Sequence, residues 1–81
     1  MRIYVGNLEW ETDDKGLRGL FTGFGQVSLA MVVLEREHGR SKGFGFVEMP
    51  VEAEARAAIS TLAARFRSMG APTVVTEAHS S

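Results

Sequence analysis

The chain has 81 residues, enough for one small domain and too few for two separate cores. It is 44% hydrophobic and 23% charged, the balance of a chain that folds rather than one that stays disordered. Nine Lys and Arg against ten Asp and Glu give a net charge of −1, which excludes a bulk polycation, and the lack of cysteine excludes disulfides, thiolate zinc sites and cysteine nucleophiles. No apolar run approaches the roughly 18 to 20 residues of a membrane span, and the opening MRIYVGNLEW does not read as a secretory leader, so a cytoplasmic protein is expected. A domain this short hides only about 60% of its unfolded surface. A deep catalytic cavity is therefore not expected, and a binding surface is.

The first strand spans Arg2 to Val5, with Ile3 and Val5 on one face and Arg2 and Tyr4 on the other. Gly6 and Asn7 break it. A helix follows, with Thr12 as its N-cap and Asp13 and Asp14 in the first turn, where the dipole favours negative charge. Its apolar stripe is Leu17, Leu20, Phe21 and Phe24, and Gly25 ends it. Val27 to Leu34 is aliphatic and β-branched, a second strand, and Arg36 to Lys42 is a polar exposed loop. Gly43 to Met49 is a third strand, stopped by Pro50. A second helix begins near Val51, with a stripe of Ala55, Ala58, Ile59 and Leu62, and Phe66 either continues it or caps the core from the next loop. Pro72 forces extension into a last strand, Thr73 to Glu77. Strand, helix, strand, strand, helix, strand is the order of an α+β, ferredoxin-like split βαβ sandwich (βαββαβ), a four-stranded antiparallel sheet with two helices on one face.

The opposite face has nothing left in the chain to cover it. Alternation sends Gly45, Val47 and Met49 towards the helices, and Tyr4, Phe44, Phe46 and Glu48 outward. Gly43 and Gly45 are read as leaving room for something flat beside the rings, and Arg40 and Lys42 stand where a phosphate could be met. Flat rings beside cations suit a single-stranded nucleic acid, whose bases stack for about 1 to 3 kcal/mol each while its backbone meets charge.

The sequence is similar to the RNA recognition motif family. Lys42-Gly43-Phe44-Gly45-Phe46-Val47-Glu48-Met49 matches the family's octamer at seven of eight positions, and Ile3-Tyr4-Val5-Gly6-Asn7-Leu8 resembles its hexamer. Leu17 to Val27 carries the family's L-x-x-L-F-x-x-F-G-x-V pattern, and Glu54-Ala55-x-x-Ala58-Ile59 is also similar. The resemblance covers residues 1–78, leaving 79–81 as a short tail, and looks most like small single-domain bacterial and cyanobacterial versions. It implies Tyr4 and Phe46 as stacking platforms for two neighbouring bases, Phe44 against sugar, and Lys42 on a phosphate or base edge. Asn7 would be a polar group at the sheet margin, the loop Arg36 to Ser41 a clamp on the strand, and Arg2, Arg36 and Arg40 further RNA-binding positions. Val74 and Thr76 stand where relatives often carry lysine and asparagine, so a part for the last strand in base reading does not carry over.

Charge near the sheet face balances, with Arg2, Arg36, Arg40 and Lys42 against Glu35, Glu37, Glu48 and Glu77. Binding should therefore lean on stacking, with a shallow salt dependence from about 2 to 3 phosphates. The expected function is binding of single-stranded RNA, by a monomer rather than a dimer and without cofactor, metal or membrane. An RNA chaperone or post-transcriptional regulator is its cellular form by family analogy. Single-stranded DNA is a variant of that reading, because rings do not tell ribose from deoxyribose. Met31, Val33 and Val74 also point outward, which leaves a second account open: a protein-interaction or dimerisation surface on the same apolar face. His38 and His79 lack a partner at ligand spacing, and Glu9, Glu11, Asp13 and Asp14 read as a solvated helix start. An enzyme of acylphosphatase type would want an arginine in the loop after the first strand, where this chain has Gly6-Asn7-Leu8-Glu9.

Overall fold

In a computed structural model, described over residues 1–78, the elements are β1 (Arg2–Gly6), α1 (Asp14–Phe21), β2 (Leu29–Leu34), β3 (Ser41–Glu48), α2 (Glu52–Ser68) and β4 (Val74–Glu77). The strands form one antiparallel sheet in the order β2-β3-β1-β4, so the two signature strands lie side by side at its centre. Ile3, Val5, Val47 and Met49 are wholly buried from the sheet side, and Leu17 and Phe21 of α1 with Ala55, Ala58 and Leu62 of α2 meet them from the helix side. The small alanines bring α2 close to the strands, so a thin core is still well filled. This is the expected α+β sandwich, with one face of its sheet covered by helices.

The element ends differ from the sequence reading for local reasons. The α1 cap is Asp13, one residue later than Thr12, because its Oδ1 accepts the Gly16 N–H at 2.7 Å. The helix gives way to a 3₁₀ turn at Thr22–Phe24 before Gly25. Val27 and Ser28 precede β2 rather than begin it, although the Ser28 N–H and hydroxyl both donate to the Glu48 carbonyl. The second helix runs to Ser68 and carries Phe66 against the core. It closes in a Schellman motif, with the Ala71 N–H donating to Phe66 O and the Gly70 N–H to Arg67 O.

β3 begins at Ser41, two residues earlier than expected, and this reaches the face that no helix covers. Register runs regularly from Leu29↔Glu48 to Val32↔Gly45, then slips so that Leu34 pairs Ser41. The slip is a bulge centred on Gly43, whose φ of 83° is a conformation that side chains rarely adopt. Its N–H donates to Ser41 Oγ at 3.0 Å and its carbonyl accepts the Leu8 N–H at 2.8 Å. The residue between Lys42 and Phe44 is thus tied to β1's own exit, and the bulge has a fixed shape.

Candidate nucleic-acid interface

Tyr4 pairs directly with Phe46 across β1 and β3, and Phe44 lies two rungs further, opposite Gly6. Because side chains alternate, all three rings share the face away from the helices, and each is half-buried. They form a near-equilateral triangle, with centroids 5.8 Å (Tyr4–Phe44), 5.9 Å (Tyr4–Phe46) and 6.0 Å (Phe44–Phe46) apart. Their planes are not parallel: Tyr4 and Phe46 meet at 63°, Phe44 and Phe46 at 88°. Two bases lying on Tyr4 and Phe46 cannot stay stacked on each other. Such a platform suits a splayed single strand and not a duplex.

The remaining positions distribute along the sheet. Lys42, Arg40 and Arg36 are exposed at the β2–β3 end. Arg2 lies at the opposite end, where its guanidinium stands 3.8 Å from the carboxylate of Glu48, its cross-strand partner. Asn7 has φ 54°, and its amide donates to the Pro72 carbonyl at 3.1 Å, so this side chain joins the end of β1 to the approach of β4. The face continues outward through Met31, opposite Phe46 and 44% exposed, and through Val74 and Thr76 of β4, opposite Gly6 and Tyr4. Val33, opposite the bulge, is half-buried. The floor around the rings is therefore mostly apolar.

Two glycines have roles that sequence reasoning placed wrongly or missed. Gly45 does not make room beside the rings. A Cβ there would stand 2.5 Å from Met31 O and 2.9 Å from Leu17 Cδ2, so its bare backbone admits α1 on the covered side. Gly6, read as a strand breaker, belongs to β1, and a Cβ on it would stand 2.7 Å from Tyr4 Cε1 and Oη. The tyrosine ring lies back over this glycine. A tyrosine two residues before a glycine in one strand was the available signal, since both share a face. Sequence reasoning also passed over Trp10, which is 79% exposed.

Among the described residues no three His, Asp or Glu side chains gather as a metal site requires, and no helix is long and apolar enough to cross a membrane. His79 and the expected tail at 79–81 lie outside the described residues.

Known proteins resemble this chain in sequence and in fold. A family model described as RNA recognition motif matches residues 3–68, from β1 to the end of α2. The chain is 54% identical over 61 residues to the chloroplastic 28 kDa ribonucleoprotein of Nicotiana sylvestris, covering 75% of this chain and 22% of that protein. It is 48% identical over 61 residues to the mitochondrial glycine-rich RNA-binding protein 4 of Arabidopsis thaliana, covering 75% of this chain and 45% of that one. The chain thus spans less than half of each of these relatives. The crystal structure of RNA binding protein PG1 superposes with a TM-score of 0.89 at 45% identity, covering 100% of this chain and 96% of PG1. Organellar plant proteins lend no support to the expected bacterial resemblance, nor to a cytoplasmic location.

Proposed function

This chain belongs to the RNA recognition motif family, and on that premise we propose that it binds short single-stranded RNA on the open face of its sheet. The observation that carries this reading is the triangle of Tyr4, Phe44 and Phe46, three rings within 6.0 Å of one another on the face no helix covers. Soluble domains seldom leave such apolar area in water without a partner. Tyr4 and Phe46 each take a base, and Phe44 packs against ribose. Lys42, beside the Gly43 bulge, meets a phosphate with Arg40, and Arg36 adds positive charge at the same end. Arg2, held near Glu48, borders the far end, where it can pair with a base edge or phosphate when the ion pair opens. Asn7 keeps its amide on Pro72 and offers its carbonyl oxygen at the margin. About 2 to 4 nucleotides fit this floor.

The protein acts in this reading as a non-catalytic monomer, and its cellular task is that of an RNA chaperone or post-transcriptional regulator. A dimerising or protein-binding sheet is less well supported, because the relatives are named for RNA binding or as ribonucleoproteins. The test is Phe46→Ala measured by fluorescence anisotropy on a labelled single-stranded RNA. Binding should weaken by about 1 to 3 kcal/mol while the far-ultraviolet circular dichroism stays that of the parent. Unchanged affinity would remove the stacking role. Competition between matched RNA and DNA oligomers decides how far the 2′-hydroxyl matters, and light scattering at rising concentration decides the monomer.

A further inference from the structure

The ring-bearing face leaves the chain's single tryptophan unexplained. Trp10, in the β1–α1 connection, is 79% exposed, and Leu34, the last residue of β2, is 56% exposed. Both line an open cleft of about 920 Å³ between the start of α1 and the β2–β3 connection. Its floor reaches Val32, which pairs with Gly45 on the helix-covered side of the sheet. The cleft and the rings are therefore on different sides of the same strands.

The charges of its walls select the occupant. Glu11, Asp13 and Asp14 line the α1 side, and Lys15 and Arg40 also border the cleft, leaving an excess of one negative charge. One oxygen of Asp13 is held by the Gly16 N–H and one of Asp14 by the Val32 N–H, at 2.7 and 2.8 Å. Glu11 has no ion pair among the described residues. An acidic wall beside an open indole disfavours phosphate and favours a cation with an apolar stem. Arg40, on the β2–β3 side, repels a second one.

We propose that this cleft binds one arginine side chain of an otherwise uncharged, apolar peptide segment. The guanidinium lies on the Trp10 indole, which offers the strongest ring face for a cation, and pairs with the carboxylate of Glu11. Its methylene stem and a neighbouring apolar residue cover Leu34. A single arginine matches the single excess charge, whereas a run of arginines meets Lys15 and Arg40. The site leaves the three rings free and shares Arg40 with the proposed RNA surface.

Trp10 is its own reporter. The 81-residue protein is titrated with a blocked hexapeptide, Gly-Leu-Arg-Gly-Leu-Gly, and with the same peptide carrying citrulline, which keeps the shape of arginine and loses its charge. The expected result is a saturable change in tryptophan emission with the arginine peptide, and binding about fivefold to tenfold weaker with citrulline. A similar loss is expected in Glu11→Gln, and none in Phe46→Ala. An equal response to both peptides, or no saturable response, overturns the proposal. So does a change in Trp10 emission driven by single-stranded RNA and competed by the arginine peptide, which would make the cleft a wall of the nucleic-acid path.

Discussion

Phe21 and Phe46 are the same side chain on opposite sides of one four-stranded sheet. Phe21 is wholly enclosed between α1 and the strands, while Phe46 lies half-buried on a face that no element covers. Hydrophobicity does not separate them; strand phase and helix placement do. The covered face uses its apolar groups to hold the chain together, and the open face groups three rings that no element of the chain encloses. Nothing about a phenylalanine alone says which of the two it will be.

The sharpest way to break this contrast is to truncate both. Phe21→Ala should cost about 3 to 5 kcal/mol of stability, a large part of what a domain of this size has, visible as a lowered thermal midpoint. Phe46→Ala should cost about 1 kcal/mol or less in the same melt and show its main effect in RNA binding. If the two melts fall together, the open face is part of the core. Gly45→Ala tests the covered side from its backbone: overpacking against Leu17 and Met31 O should destabilise by about 1 to 3 kcal/mol, read by chemical unfolding.

Gly6→Ala is the counterpart on the open side. The Tyr4 ring can swing away from the new methyl, so stability should hardly move, while RNA affinity falls by about 1 kcal/mol. Near-ultraviolet circular dichroism from the chain's only tyrosine should change with it. The smallest effect is expected from Lys42→Ala, which should lower affinity slightly and flatten the dependence of log K on log salt by about 0.7. A larger loss of slope would mean that charge, not stacking, supplies most of the binding.

The sheet and its open face were legible because alternation is strict where one face is buried: Ile3, Val5, Val47 and Met49 against Tyr4, Phe44 and Phe46 follow period two through both central strands. That the two signature strands lie side by side is seen only in the fold. What period could not reveal depends on contacts made across the fold. The bulge at Gly43 depends on Leu8 and Ser41, the room at Gly45 on Leu17, and the Asn7 amide on Pro72, which is 65 residues away. Capping at Asp13 rather than Thr12 was a choice between two good caps, settled by which carboxylate or hydroxyl reaches Gly16. Trp10 was passed over because a lone aromatic in an acidic loop has no period at all.

The central claim is that Tyr4 and Phe46 receive bases and Phe44 a ribose, while the helices only support them. NMR titration of the isotope-labelled protein with a short single-stranded RNA tests it most directly. The largest shifts should fall on residues 2–6 and 42–48, with the aromatic protons of Tyr4 and Phe46 moved upfield by stacked bases. Shifts concentrated on α1 and α2, with those ring protons unmoved, would contradict it.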